Sequence, residues 1–183
     1  EAALILALTV SAAVGFPRAG RSTAVSASPN ILLEEWTGPY GGVPPFDRVK
    51  VEHFKPALEE AMAKTLAEVE KIAGNPEAPS FENTIAAMER SGRTLERVTA
   101  VYGVWSSNMS SDEFRAVELE MAPKLAEFRD KIMQNAGLFE RIEKVYNARA
   151  SSGLTAEQQR LVSAIPWEVE FRANPSLIPE VKT

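Results

Sequence analysis

From Val51 onward the apolar positions fall three and four residues apart, the period of helices that bury one face. Phe54, Leu58, Ala61, Met62, Leu66, Val69 and Ile72 form the first stripe, with Glu59, Glu60, Lys64, Glu68 and Lys71 opposite. Gly74-Asn75-Pro76 predicts the end of that helix. A second helix is expected after Ser80, whose hydroxyl can accept an otherwise orphaned backbone N–H as N-cap. Its stripe runs Phe81, Ile85, Met88, Gly92, Leu95, Val98, Tyr102 and Trp105. Gly92 on that stripe predicts close approach by another backbone, against a helix-propensity cost of about 1 kcal/mol. The third helix is expected at a capping box of Ser110 and Glu113, with Phe114, Val117, Met121, Leu125, Phe128 and Ile132 inward. Pro123 inside that run predicts a kink or two consecutive helices. A fourth covers Leu138 to Ala150 on Leu138, Phe139, Ile142, Val145 and Tyr146. A fifth starts at a Thr155/Gln158 capping box and carries Leu161, Val162 and Ile165.

No segment of 51–165 reads as a strand, so the pattern predicts an all-α, irregular multi-helix domain. Five Glu-to-cation pairs at i,i+4 decorate the polar faces: Glu60–Lys64, Glu89–Arg93, Glu120–Lys124, Glu127–Lys131 and Glu140–Lys144. Each is worth a few tenths of a kcal/mol, so they mark solvated helix rather than a site.

Before Val51 the pattern is not helical. Residues 28–50 hold Pro39, Pro44 and Pro45 with Gly38, Gly41 and Gly42, which forbid a regular helix or a central strand. Trp36, Tyr40, Phe46 and Val49 in the same stretch point to an extended arm laid across a helical surface, since a free linker rarely carries so many aromatics. A ligand-holding loop is the alternative, but the glycine spacing fits no phosphate-binding motif.

Ala2 to Phe16 is an apolar run broken by Thr9, Ser11 and Gly15, too short for a comfortable membrane span. Its length suits the core of a secretory leader, with Ala24-Val25-Ser26-Ala27 offering a cleavage point after Ala27. Arg18 and Arg21 lie between run and cut, an unusual place for charge, and an apolar helix packed on the domain is the competing reading. Export, with the bacterial periplasm as destination, is the expectation for residues 1–27; no Cys follows the run to carry a lipid anchor.

Composition narrows the chemistry. The 183 residues contain no Cys and one His, which rules out disulfides, thiolate nucleophiles, Cys-ligated zinc and any motif of two imidazoles within this sequence. A net charge of −5 lacks the basic footprint of a nucleic-acid binder. His53 beside Glu52 has the composition of a general base and its orienter, yet its placement favours a helix-start or surface role. Glu113, Glu118 and Glu120 could supply metal oxygens, but they lack a His and do not share one helix face. No G-x-S-x-G, Walker A or G-x-G-x-x-G pattern occurs. Asn108-Met109-Ser110 fits the glycosylation acceptor pattern, which matters only in a eukaryotic secretory setting.

A set of fragments then stands out. Trp36 to Phe46 (WTGPYGGVPPF) is followed by His53-Phe54-Lys55-Pro56-Ala57 and by Ala78-Pro79-Ser80-Phe81-Glu82-Asn83-Thr84-Ile85. Met88-Glu89-Arg90-Ser91-Gly92, Ser106-Ser107-Asn108, Glu120-Met121-Ala122-Pro123-Lys124-Leu125 and Leu138-Phe139-Glu140-Arg141-Ile142 follow in order. Together they resemble the N-terminal region of bacterial peptidyl-dipeptidases and oligopeptidase A, zinc metallopeptidases of the thimet oligopeptidase family, over residues 29–163. The resemblance implies a largely helical, clam-shell-shaped enzyme whose channel admits short peptides, with this region walling the channel. It implies one zinc, held by the two His of H-E-x-x-H and a downstream Glu, beyond the region matched here. No catalytic, cofactor-binding or metal residue is therefore assigned to this chain.

Pro166, Pro175 and Pro179 break the pattern after residue 165, and Trp167 to Thr183 does not resemble the family, so residues 166–183 read as a divergent tail with a premature end preferred. Three functions remain open. One is an N-terminal piece of an exported zinc oligopeptidase, inactive alone, whose partners are short peptides, a catalytic C-terminal portion, or copies of itself. The others are a stand-alone helical module binding peptides or a protein, and a hydrolase built around His53.

Overall fold

A single 20-residue helix, α1 (Phe54–Ala73), is the member against which the rest is laid. The computed structural model describes residues 29–39 and 42–164; the expected leader, the tail, Ile165, Tyr40 and Gly41 lie outside the described residues. A 3-10 turn at Val51–His53 leads into α1, and Gly74 ends it. A π-helical turn at Phe81–Ile85 runs into α2 (Ala86–Arg90), followed by α3 (Arg93–Asn108), α4 (Asp112–Met133), α5 (Ala136–Ala148) and α6 (Ala156–Ala164). Among the described residues there is no strand, only an isolated antiparallel bridge between Thr37 and Val43, so the fold is all-α as the periodicity predicts.

The caps follow the sequence at two sites. Ser80 Oγ accepts from the Asn83 amide at 3.2 Å while Asn83 Oδ1 accepts from the Ser80 amide at 2.8 Å. Thr155 and Gln158 exchange the same pair of bonds at 2.9 and 3.2 Å. The third helix departs from expectation by one residue: Ser111, not Ser110, is its N-cap, with Oγ accepting from the Phe114 amide at 3.1 Å. Two adjacent serines offer the same chemistry, and Ser111 places buried Phe114 at the third helical position. The fourth helix starts at Ala136 because Asn135 caps it, accepting from the Leu138 amide at 2.9 Å.

One helical expectation is corrected, and of the two alternatives offered for Pro123 the pair of consecutive helices does not form. The run from Phe81 to Trp105 is not one helix: Ser91 is extended and Gly92 sits at φ +74°, a left-handed conformation that glycine enters without a Cβ penalty. Gly92 is approached by a side chain rather than by backbone, since a Cβ there would lie 3.3 Å from Thr65 Cγ2. Its amide donates to Glu68 Oε2 at 2.8 Å, fixing the break against α1. Conversely, Pro123 neither splits nor ends α4, which runs unbroken through it. The buried Phe114, Met121 and Phe128 hold both halves of α4 on the core and offset the missing backbone bond.

Three of the five anticipated ion pairs form: Glu120–Lys124 at 3.1 Å, Glu127–Lys131 at 2.7 Å and Glu140–Lys144 at 2.6 Å. Lys64 instead donates to Thr94 Oγ1 at 3.1 Å. The break at Gly92 separates Glu89 from Arg93, and Arg90 pairs with Glu82 at 2.7 Å.

Two side-chain clusters flank α1. The first joins Leu32 and Val49 of the arm to Phe54, Leu58, Val98, Val101, Trp105, Phe114 and Met121. Phe54 is at its centre, with ring centroids 5.2 Å from both Trp105 and Phe114 and 5.9 Å from Tyr102. The second is aliphatic: Val69, Ile72, Ile85, Leu138, Ile142, Val145 and Val162. The arm is pinned by Asn30, whose Nδ2 donates to the His53 carbonyl at 2.8 Å, and by Phe46 stacked 6.2 Å from Trp105. Gly42, at φ +108°, lies so close to the Trp36 carbonyl that a Cβ would stand 2.5 Å from it.

Candidate functional site

The described residues hold concavities and ion pairs but no assembled catalytic group. His53 belongs to the turn before α1, where its Nδ1 accepts the Lys50 amide at 3.1 Å and is thereby engaged as a capping group. Neighbouring Glu52 is exposed and 3.6 Å from the Lys50 ammonium rather than oriented on the imidazole. That geometry fits the helix-start role.

Glu113, Glu118 and Glu120 are not brought together. Glu118 accepts a short hydrogen bond from Ser106 Oγ across α3 and α4. Glu120 sits 2.6 Å from the Lys55 ammonium and 3.1 Å from that of Lys124, whose other partner is Glu59. This chain of alternating charges ties α1 to α4 at the surface. Hydrogen bonds from Lys55 and then Lys124 lower the Glu120 pKa, and those to Glu59 and then Glu120 raise that of Lys124. Burial first, and the Glu118 charge second, raise the phenol of Tyr102 above its ordinary value. Among the described residues no three His, Asp or Glu side chains group as metal ligands. The Asn108 amide is exposed and donates to the Val104 carbonyl at 3.3 Å.

A cleft of about 440 Å³ lies between Trp36 of the arm and the start of α3, with Glu89, Arg93, Glu96 and Arg97 on its wall. The charges of these four side chains balance, and they offer hydrogen-bond donors and acceptors. The buried Trp36 Nε1 and Arg97 Nε have no hydrogen-bond partner. A second cleft of about 330 Å³ lies where Pro79, Phe81, Val145 and Leu154 meet. Buried Arg141 donates to the carbonyls of Asn75 and Glu77 at 2.7 and 3.0 Å and to Asn83 Oδ1 at 2.9 Å. The sequence stripe omitted Arg141; an arginine three residues after Leu138, on the apolar side of α5, is the signal that marks it. No helix among the described residues is long and apolar enough to cross a membrane.

No protein-family model matches the sequence. Individual relatives do. Dipeptidyl carboxypeptidase of Escherichia coli K12 is 39% identical over 136 residues, which is 74% of this chain and 20% of the relative. The protein of that name from Salmonella typhimurium is 38% identical over 138 residues, again 20% of its length. Oligopeptidase A of Salmonella typhimurium is more distant, 26% identical over 120 residues and 18% of its length. The chain spans about a fifth of the length of these relatives. With this similarity carried by an all-α fold, the chain belongs to the family of dipeptidyl carboxypeptidase and oligopeptidase A.

Proposed function

We propose that this chain supplies the N-terminal, channel-walling part of an exported zinc metallopeptidase that hydrolyses short peptides, and that it is inactive alone. The observation that carries this reading is the 39% identity to dipeptidyl carboxypeptidase across 74% of the chain but only 20% of that relative. The donor set does not fit the metal: the sequence has one His, and that imidazole caps the turn before α1. The role left to these residues is shape, through the arm and helices that would bound a channel.

Assay of the purified 183-residue chain on short peptides is the direct test. No chelator-sensitive cleavage is expected, and a longer in-frame product carrying H-E-x-x-H should restore it. Chelator-sensitive hydrolysis by the 183-residue chain itself would overturn this account. For export, residues 1–27 placed before a reporter active only outside the cytoplasm should yield activity; a silent reporter removes the periplasmic assignment. The cleft beside Trp36 favours a second reading, a peptide-binding module without turnover. Calorimetry showing no heat across a peptide panel would remove it.

A further inference from the structure

α4 has two apolar faces, and the core uses one. Phe114, Met121 and Phe128 point inward, and the helix packs on α1, α3 and the turn before α1. Half a turn away, Ala116, Leu119, Pro123 and Ala126 are all exposed, at the three- and four-residue spacing of a seam for another helix. Leu119, with 80% of its surface exposed, is the most open large hydrophobic residue among those described.

Pro123 adds a feature of a different kind. Having no N–H, it leaves the Leu119 carbonyl without its i+4 donor, on the same outward face as the Leu119 side chain. The face therefore combines small side chains that let a second helix come within about 8–10 Å with a free backbone acceptor at its middle. Asp112 and Asp130 stand at its two ends. The complement is a helix carrying bulky aliphatic or aromatic knobs for the alanine positions and a hydrogen-bond donor for the Leu119 carbonyl.

We propose that the outward face of α4 is covered by a helix from the four-fifths of the family polypeptide that this chain does not span. The inference rests on the reading of the chain as one part of a longer peptidase, whose relatives extend to five times the length matched here. It adds which surface receives the remainder and what chemistry that remainder must present.

The absence of cysteine makes the test direct. Leu119→Cys and Ala126→Cys on the seam, and Glu143→Cys on exposed α5 as control, are each alkylated with iodoacetamide. The rates are read in the 183-residue chain and in a polypeptide joining this chain to the remainder of Escherichia coli dipeptidyl carboxypeptidase. Burial of the seam should slow the Leu119→Cys and Ala126→Cys reactions at least about tenfold in the longer polypeptide, while Glu143→Cys changes less than about twofold. Equal rates at all three sites in both proteins would overturn the proposal. So would protection in the 183-residue chain that grows with its concentration, which would assign the face to a second copy. Should the joined polypeptide not fold, cysteines at the aligned positions of the Escherichia coli enzyme, freed of other reactive thiols, decide by the same criterion. Peptidase activity is scored separately. Protected seam cysteines without activity count against the proposed function alone, and active enzyme with unprotected seam cysteines counts against the interface alone.

Discussion

The two ends of α1 are held by different physics. At its N-terminal end, Phe54 meets Trp105, Tyr102 and Phe114 in edge-on and tilted contacts, and the arm closes the cluster with Phe46 and Leu32. At its C-terminal end, Val69 and Ile72 meet branched aliphatic residues of α5, and the distinctive contact there is polar: Arg141 gathers two carbonyls and an amide oxygen from the 75–83 connection. An aromatic cluster gains stability from area and ring geometry. A buried guanidinium gains little net energy but makes its loss costly, because it leaves acceptors unpaired. One helix thus joins a region that tolerates modest repacking to one that depends on a few directed bonds.

The largest expected effect tests the aromatic end. Phe54→Ala should cost about 3–5 kcal/mol, read as a lowered denaturant midpoint by Trp fluorescence. A loss under about 1 kcal/mol would mean the ring is not the centre of that cluster. At the other end, Arg141→Met keeps the volume but removes the donors and should cost about 2–3 kcal/mol. A neutral or stabilising Arg141→Met would break the comparison, since the second cluster would then be held by aliphatic packing alone. Gly92→Ala should cost about 1–2 kcal/mol, because the left-handed backbone disfavours a Cβ and Thr65 must give way. Ser111→Ala should lose about 1 kcal/mol while Ser110→Ala stays within about 0.5 kcal/mol, measured side by side in urea.

The smallest effects are in pH. Glu120 is lowered by Lys55 and Lys124, so its contribution is present above the ordinary carboxylate range and is lost as pH falls through the lowered folded value. Glu120→Gln should flatten the acid limb of stability slightly, and an unchanged limb would show that the charge chain between α1 and α4 contributes nothing measurable. Tyr102 has the opposite sign: its raised phenol favours the protonated folded state, and that stability is lost as pH climbs through the folded value. Tyr102→Phe should flatten the alkaline limb.

Helix existence was legible because a buried face writes its period into the sequence, and the stripes of α1, α4 and α5 were each marked. What escaped was decided by tertiary contact. Gly92 fits a helical stripe by spacing, yet Glu68 and Thr65 on another helix fix it as a break. Pro123 left a kink or two consecutive helices open by local rules, and burial on both sides keeps α4 a single helix. Asn135 caps α5 through a local bond three residues long, but its 2.8 Å bond to Glu70 joins residues 65 apart, which no local pattern marks. One His and no Cys narrowed the chemistry from the sequence; the concavities beside Trp36 and Phe81 were not legible, because each is assembled from separate segments.

The reach of α1 also sets a schedule for synthesis. Its partners in both clusters come late: Arg141 bonds to Asn75, which closes the α1 region, across 66 residues, and Lys124 reaches Glu59 across 65. At ribosomal rates of about 5–20 residues per second, α1 waits about 3–13 seconds for α4 and α5 to emerge. In that interval the arm and α3 can cover part of the first cluster, while Val69 and Ile72 wait for their α5 partners as uncovered apolar side chains. The nascent chain therefore presents a chaperone-sized hydrophobic target early, and any pause between the codons for α1 and α4 lengthens its exposure.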